Sequence, residues 1–191
     1  MAKVFIGGSR QISRLTAPVL ERLHAIMEKE LSVIVGDSYH PKGADKAVQD
    51  YFFSKGYQNV EVFCSGSACR NNVGHWNTRN IDTTTRDKGR NFYTVKDRAM
   101  ALEATYGFMV WDGKSKGTLL NVFRLLRQGK KVVVYITAEH RFAELCAPDQ
   151  WDGFIAPYGA EFRSEMEQLV DLEDRMDRKL NQPALLSMML K

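Results

Sequence analysis

The sequence has few cysteines, no long apolar run and only a modest excess of charge. Its three cysteines, Cys64, Cys69 and Cys146, lack CxxC spacing, so neither a zinc site nor a disulfide framework is indicated and free thiols are predicted. No run of about 18 apolar residues is present, so no membrane-spanning helix is predicted. A strand pattern begins at Lys3, which leaves no room for a signal peptide. We therefore expect a soluble, cytoplasmic protein with no membrane partner.

Several motifs with known chemistry are also missing. The sequence contains neither GxxxxGK[ST] nor, in its first glycine loop, GxGxxG, so it supports neither a P-loop nucleotidase nor a standard dinucleotide dehydrogenase. No serine or cysteine lies in a nucleophile elbow. The four histidines lack the spacing of metal ligands; they are His24, His40, His75 and His140. We predict no metal site and no cofactor.

The charge is unevenly distributed along the chain. The net charge is only +4, but basic residues crowd one segment: Arg70, Arg79, Arg86, Lys88, Arg90, Lys96 and Arg98. This concentration favours an anionic partner, either a small phosphate ligand or nucleic acid, although a basic loop that is simply solvated has the same pattern. Residues 65–93 form a long, basic, aperiodic stretch, which we interpret as a lid or ligand-contacting insertion.

Short apolar strands alternate with amphipathic helices through the first two thirds of the chain. The predicted strands are 3–7, 32–37, 59–64, 107–111 and 131–136, and the predicted helices between them are 16–30, 44–54, 95–106 and 118–127. Thr16 and Thr94 are the predicted caps of the first and third helices. This alternation indicates an α/β fold with a Rossmann-like, doubly wound parallel sheet of about five strands. We assign residues 1–138 to this domain.

Residues 139–191 are predicted to form a C-terminal helical extension. An amphipathic helix is expected over residues 161–180, and a short apolar tail follows at residues 183–190. Such a tail either packs back on the core or meets another subunit.

The stretch from Phe108 to Asn121 is the centre of the predicted site. It has the pattern of a strand, a glycine-bearing loop and a helix start. If the strand order is the common 3-2-1-4-5, the order reverses between the first and fourth strands, and ligands of doubly wound sheets bind at such a point. The loop 7–10 and the loop 112–118 would then meet there. The glycines also have a purely structural interpretation as tight turns.

The chemistry of these two loops suits a phosphorylated ligand. Glycines let backbone amides approach closely, and a helix N-terminus favours anions. Arg10 would add a charge-assisted contact to an anion, and Asp112 could accept hydrogen bonds from sugar hydroxyls. The predicted ligand-binding residues are Gly7, Gly8, Ser9, Arg10, Gly36, Asp37, Asp112, Gly113, Ser115, Gly117, Thr118 and Asn121.

Three stretches resemble a known family. Gly-Gly-Ser-Arg after the first strand, Gly36-Asp37 before Gly43-Ala44-Asp45, and the segment from Trp111 to Thr118 are similar to the SLOG superfamily, with its YspA-like branch as the nearest match. This Rossmann-like group is named for the DNA-processing Smf proteins and the Lonely-guy (LOG) phosphoribohydrolases. The resemblance covers residues 3–136. It implies a site for a nucleotide, nucleotide-sugar or related ribosylated ligand, and it makes a homodimer plausible.

The resemblance to the LOG enzymes is incomplete. Their basic cluster with a methionine is matched by Lys96, Arg98 and Met100, and their PGGxGTxxE loop by Gly113 and Gly117-Thr118. The glutamate of that loop, however, falls at Asn121. A neutral amide cannot act as a general base or stabilise an oxocarbenium-like transition state as a carboxylate can. Another carboxylate would have to replace it, and Asp112 is the best placed, followed by Asp37; Asp45 and Glu103 are the other candidates.

Three functions remain open. The first is binding of a nucleotide, nucleotide-sugar or related ligand, possibly as a sensor. The second is an enzyme, a hydrolase or transferase acting at an N-glycosidic bond, with Asp112 or Asp37 stabilising positive charge and Arg98 holding phosphate. The third, and least favoured, is single-stranded nucleic-acid binding by residues 70–98, where Trp76, Phe92 and Tyr93 lie among the basic residues.

Overall fold

A seven-stranded, mostly parallel sheet is the framework of the protein. The computed structural model describes residues 2–38, 43–83 and 89–181. The strands are β1 (Lys3–Gly8), β2 (Ser32–Gly36), β3 (Val60–Ser65), β4 (Asn77–Ile81), β5 (Tyr106–Trp111), β6 (Val132–Ile136) and β7 (Arg141–Leu145). Their order in the sheet is β4-β3-β2-β1-β5-β6-β7. All neighbours are parallel except β7, which pairs antiparallel with β6.

The predicted fold class is confirmed, and the five predicted strands lie in the expected order 3-2-1-4-5 as β3, β2, β1, β5 and β6. The predicted number of strands is corrected, because β4 and β7 extend the sheet at its two edges. Both edge strands lack a continuous apolar run: β4 reads NTRNI and β7 reads RFAEL. An edge strand is covered on fewer sides than a central one, so its sequence carries little periodic signal.

The region 65–93, predicted as one long loop, is more regular than expected. It contains β4 and the first turn of the helix α3 (Arg90–Glu103). Thr94 therefore lies inside α3, and its predicted capping role is wrong. Gly89, with φ of +56°, precedes α3 as its N-cap residue. Residues 84–88 lie outside the described part of the chain. The role of the region 65–93 as a lid or ligand-contacting insertion stays a prediction.

The other helices of the sheet domain are α1 (Ala17–Glu28), α2 (Ala44–Ser54) and α4 (Lys116–Arg127). They form where the apolar residues recur at helical spacing, as in α1, whose buried residues are Val19, Leu23 and Ile26. Thr16 precedes α1 as predicted, but its side chain makes no capping hydrogen bond. Ser115 is the cap of α4, which begins at Lys116, two residues before the predicted first helical position.

The chain divides into two compact units at Pro148 and Asp149. The predicted C-terminal extension began at residue 139, whereas β7, at residues 141–145, belongs to the sheet. The second unit contains α5 (Gln150–Ile155) and the predicted C-terminal helix, α6 (Ala160–Asn181). The apolar tail 183–190 lies outside the described residues. Among the helices that the structure describes, none combines the length and the apolar character that crossing a bilayer requires.

The pairing of β1 with β5 creates the crevice where the strand order reverses. Their register runs from Val4 opposite Tyr106 to Gly8 opposite Val110, so the two strands end side by side. From β1 the chain continues on one side to β2 and β3, and from β5 on the other side to β6. In such sheets the loops diverge at this point and leave a cleft for a ligand.

Candidate ligand-binding cleft

A cleft of about 820 Å³ lies at this crevice. Its walls come from the end of β1, the start of α2, one face of α3 and the loop between β5 and α4. Eight of the predicted binding residues line it: Gly7, Gly8, Arg10, Asp112, Ser115, Gly117, Thr118 and Asn121. The remaining predicted site residues, Ser9, Gly36, Asp37, Gly113 and Arg98, are not among the residues that line it.

The loop between β5 and α4, residues 112–115, is shaped by short-range hydrogen bonds. Asp112 Oδ1 accepts from the backbone N–H groups of Lys114, at 2.9 Å, and Ser115, at 2.8 Å. Ser115 then caps α4, since its Oγ accepts from the Thr118 N–H at 3.4 Å. Gly113 has φ of +82°, a left-handed conformation that favours glycine. Asp112 thus organises the loop while still lining the cleft.

Ser9 links the two glycine-bearing loops through its side chain. It is completely buried, and its Oγ accepts from the Asp112 N–H at 3.1 Å and lies 3.2 Å from Thr118 Oγ1. Its carbonyl oxygen also accepts from the N–H of Ala44, at the start of α2. Ser9 therefore positions three elements of the cleft without facing the cleft itself.

The predicted glycines have different roles. A Cβ at Gly8 would lie 2.5 Å from the Val110 carbonyl oxygen, so glycine is required there by the packing of β1 against β5. A Cβ at Gly36 would lie 2.7 Å from Lys96 Nζ and 2.9 Å from an Asp45 carboxylate oxygen, so this glycine makes room for buried charges. A Cβ at Gly117 would meet nothing within 4 Å. Packing within the protein therefore does not explain Gly117, whereas close approach of a ligand would.

Three charged side chains that line the cleft, Asp45, Lys96 and Asp97, form a cluster. Lys96 is 5% exposed and donates to Asp97 Oδ1 at 2.6 Å. Burial raises the pKa of Asp45 to about 6, and the Asp97 carboxylate adds to this while Lys96 opposes it. Burial acts to lower the pKa of Lys96, but the two carboxylates outweigh it and the pKa is raised. For Asp97, Lys96 and Arg124 outweigh burial and lower the pKa.

The sequence does not reveal this cluster as a unit. Lys96 belongs to the basic segment and to the resemblance to the LOG enzymes, Asp45 is one of the candidate carboxylates, and Asp97 has no predicted role in the site. The signal in the sequence is the spacing of four residues along α3. They recur at helical intervals and all line the cleft: Tyr93, Lys96, Asp97 and Met100. Arg98 lies between them in sequence and is not among the lining residues. Its predicted phosphate contact thus has no geometric support.

Asn121, which the resemblance places at the position of the LOG glutamate, has a side chain that is hydrogen-bonded to its neighbours. Its Oδ1 accepts from Arg124 Nη1 at 2.6 Å, and its amide donates to the Asp97 carboxylate. Arg124 is 3% exposed, so this chain of contacts is buried beneath the cleft. The asparagine amide provides what a carboxylate could not, because one end accepts from a cation and the other donates to an anion.

The segment 64–76 contributes Arg70 to the wall of the cleft. Cys64 and Cys69 form a disulfide, so the prediction of free thiols is wrong for these two, while Cys146 is exposed and takes no part in this disulfide. The chain turns back directly after β3, which brings the two Cα atoms to 5.0 Å. A separation of five residues without a CxxC motif gave no signal for this pairing.

Arg70, directly after this disulfide, holds the buried Asp37. Its Nε donates to Asp37 Oδ2 at 2.9 Å and its Nη2 to Oδ1 at 2.5 Å, and Asp37 is completely buried. The guanidinium lies 4.5 Å from the centre of the Tyr93 ring, and both Arg70 and Tyr93 line the cleft. Asp37 is therefore an anchor for Arg70 and does not itself line the cleft.

Asp37 also belongs to the group of possible metal ligands found among the described residues. Its carboxylate and the sulfurs of Cys64 and Cys69 lie within 4.8 Å of one another. The sulfurs are joined in the disulfide and the carboxylate is paired with Arg70, so these atoms do not offer a free donor set for a cation.

The predicted basic segment is partly neutralised. Arg79, on β4, pairs with Glu61 on β3 and with Glu103 at the end of α3. Arg70 pairs with Asp37, and Lys96 with Asp97. Arg86 and Lys88 lie outside the described residues. Several of the charges counted from the sequence therefore hold the fold together.

No protein-family model and no curated protein matches the chain. Among solved structures the fold is similar to that of DNA processing protein A from Helicobacter pylori, whose structure was described for its single-stranded DNA binding mode. The TM-score is 0.52 at 14% sequence identity, and the match covers 89% of this chain and 80% of that chain. At this identity the similarity is one of fold, the Rossmann-like fold of the DNA-processing Smf proteins.

Proposed function

We propose that the protein binds a nucleotide, nucleotide-sugar or related ribosylated ligand in the cleft where β1 and β5 diverge. The observation that carries this proposal is that the cleft combines a helix N-terminus and basic side chains with partly buried carboxylates. The first set suits a phosphate, and the second set suits groups that donate hydrogen bonds. A ribose phosphate presents both kinds of group in one small molecule.

The phosphate subsite of this proposal is the first turn of α4 with its basic neighbours. The first N–H groups of a helix have no intrahelical acceptor and carry the positive end of the helix dipole. Ser115 already accepts from Thr118, and Gly117 leaves space for an anion to approach. Arg10 and Lys114 are exposed and line the same cleft. The Asp112 oxygen that accepts from two backbone amides is already occupied, which limits its repulsion of a phosphate.

Ligand-induced stabilisation tests the proposal. Nucleoside 5′-monophosphates, nucleotide-sugars and ribose 5-phosphate would each be added in a thermal unfolding assay and then in calorimetry. A ligand at 100 times its dissociation constant stabilises the protein by about 2.7 kcal/mol. We expect Arg10→Ala to weaken binding about tenfold, since a charge-assisted hydrogen bond is lost.

Arg14→Ala is the matched control, because Arg14 is also exposed on the segment after β1 but is not among the residues that line the cleft. Its affinity should equal that of the unmodified protein. The proposal is rejected if none of the three ligand classes shifts the unfolding temperature. Equal losses in Arg10→Ala and Arg14→Ala would instead remove Arg10 from the site.

An enzyme acting at an N-glycosidic bond is the second candidate. Asp45 and Asp97 favour it, since they supply carboxylates in the same cleft that Asn121 does not. Asp112 also lines the cleft and stays a candidate, whereas Asp37 is occupied by Arg70. Nucleoside monophosphates and NAD would be incubated with the protein and assayed for free base by chromatography. Release that disappears in Asp45→Asn or Asp97→Asn supports the enzyme, and no release from any substrate rejects it.

Single-stranded nucleic-acid binding is the third candidate, favoured by the fold similarity to DNA processing protein A. The neutralised basic side chains weigh against it. Retention of a labelled single-stranded oligonucleotide at low salt would support it, provided that retention falls as salt rises. Competition by a mononucleotide would place both ligands in the same cleft. No retention at low salt rejects this candidate.

The finer family assignment belongs to the same proposal. The SLOG resemblance and the fold similarity support membership of that superfamily, and the YspA-like branch rests on the sequence resemblance alone. A cytoplasmic location and a homodimer also stay predictions. Sedimentation of the full chain tests the dimer, and a mass equal to that of one chain would contradict it.

A further inference from the structure

Asp45 occupies a distinctive position in the cleft. It lies in the first turn of α2, and the backbone N–H of Gly8, at the end of β1, interacts with its carboxylate and acts to lower its pKa. Gly36, at the end of β2, makes room for it, since a Cβ there would lie 2.9 Å from Asp45 Oδ2. The carboxylate therefore lies beside the ends of two central strands, β1 and β2, and lines the cleft.

This carboxylate retains capacity to accept further hydrogen bonds. An ionised carboxylate has about four acceptor positions, and the interaction with the Gly8 N–H group uses at most one of them. The neighbouring cation, Lys96, donates to Asp97 instead, at 2.6 Å. A ligand that brings hydrogen-bond donors to Asp45 would therefore satisfy a partly buried group that the protein leaves under-satisfied.

The chemistry of the surroundings limits what that donor is. A second carboxylate, Asp97, lies in the same cluster, so an anionic phosphate is disfavoured beside Asp45 and belongs with Arg10 and Lys114. Adjacent neutral hydroxyls suit a carboxylate, which can accept from both at once. In a ribose phosphate such a pair, the 2′- and 3′-hydroxyls, lies on the ring away from the phosphate.

We propose that Asp45 determines the sugar specificity of the cleft by accepting hydrogen bonds from the two adjacent ribose hydroxyls. The cleft then selects ribonucleotides over 2′-deoxyribonucleotides. This inference rests on the proposed function, because it assigns the sugar subsite of the same cleft. In this inference Asp45 acts as a specificity residue, through hydrogen bonds to the sugar.

The inference has a pH dependence with a defined sign. Burial raises the pKa of Asp45 to about 6. The groups that act on it are the Gly8 N–H from β1, Lys96 and Asp97 from α3, and Asp37 after β2. A carboxyl group that is protonated loses acceptor capacity. The preference for ribose is therefore expected at pH 7.5 and should diminish as pH falls through about 6.

Calorimetry with matched nucleotides tests the inference. AMP and 2′-deoxy-AMP would be titrated into the unmodified protein, Asp45→Asn and the control Asp50→Asn. Asp50 lies on the same helix, exposed and paired with Lys46. We expect a preference for AMP of about tenfold in the unmodified protein and in the control, and a preference below about threefold in Asp45→Asn. Asparagine has nearly the same size and shape as aspartate, which favours retention of the fold.

The outcomes separate this inference from the proposed function. Equal affinities of the unmodified protein for AMP and 2′-deoxy-AMP overturn the inference and leave nucleotide binding intact. A preference that persists in Asp45→Asn also overturns it. Absence of binding by either nucleotide, and by ribose 5-phosphate, overturns both. If Asp45→Asn does not fold, the AMP preference of the unmodified protein at pH 7.5 and pH 5.5 decides, and a preference that is unchanged by pH rejects the inference.

Discussion

Two regions of the cleft wall are held in position by different kinds of contact. The loop 112–115 is fixed by hydrogen bonds between residues at most four positions apart, apart from its contact with Ser9. The segment 64–76 is fixed by a disulfide and by distant partners: Asp37 binds Arg70, Gln49 binds Val73, and the Tyr57 carbonyl accepts from Trp76. The first region therefore depends on local sequence, and the second depends on the completed fold.

This difference explains which part of the wall the sequence could predict. Glycine, serine and threonine at fixed offsets indicate a capped helix after a tight turn, and the structure has that arrangement. No local pattern indicates that Arg70 will reach a carboxylate 33 positions earlier in the chain. Changes in the segment 64–76 should consequently affect global stability more than changes in the loop 112–115.

The largest effect is expected for Arg70→Met. Asp37 is completely buried, so removing its partner leaves an uncompensated charge in the interior. Loss of one member of a buried pair costs about 3–5 kcal/mol, and we place this change near the lower value because Arg70 is partly exposed. Denaturant unfolding measures the loss.

Arg79→Met is the control for this change, because Arg79 forms an ion pair at an exposed position of β4. Exposed pairs contribute about 0–1 kcal/mol. A loss in Arg70→Met no larger than that in Arg79→Met would mean that the Asp37 pair is not a major anchor.

Reduction of the Cys64–Cys69 disulfide is expected to have an intermediate effect. The bond closes a short loop, with a sequence separation of five, so loop entropy accounts for about 2 kcal/mol. The unfolding temperature would be measured with and without a reductant in a Cys146→Ser background, which removes the third thiol. Ligand affinity should fall too, because Arg70 follows the disulfide directly. Identical unfolding with and without reductant would contradict the prediction.

The smallest effect is expected for Ser115→Ala in the loop 112–115. The change removes the cap of α4, whose Oγ accepts from the Thr118 N–H. Such a cap contributes about 1 kcal/mol. Ser13→Ala, at an exposed position before α1, is the control and should be neutral. A loss in Ser115→Ala that exceeds the loss in Arg70→Met would reverse the comparison between the two regions.

The predictability of the fold follows the same division. The five central strands were identified because they are buried on both faces and read as apolar runs, as in VVVYI of β6. The edge strands β4 and β7 were missed because their polar residues carry no such signal. In the cleft, the two glycine loops were predicted from turn chemistry. The cluster of Asp45, Lys96 and Asp97 was not, since its members come from α2 and α3 and acquire their altered pKa values only on burial.

The pairing of β1 with β5 has a consequence for how the chain folds. Gly8 and Val110 are neighbours in the sheet but are about a hundred residues apart in sequence. During synthesis, β1, β2 and β3 can associate early, whereas the cleft cannot close until β5 and α4 have been made. Contacts between such distant residues slow folding and leave strand edges exposed in the meantime. We therefore expect a two-step folding reaction in which the ability to bind the ligand appears last.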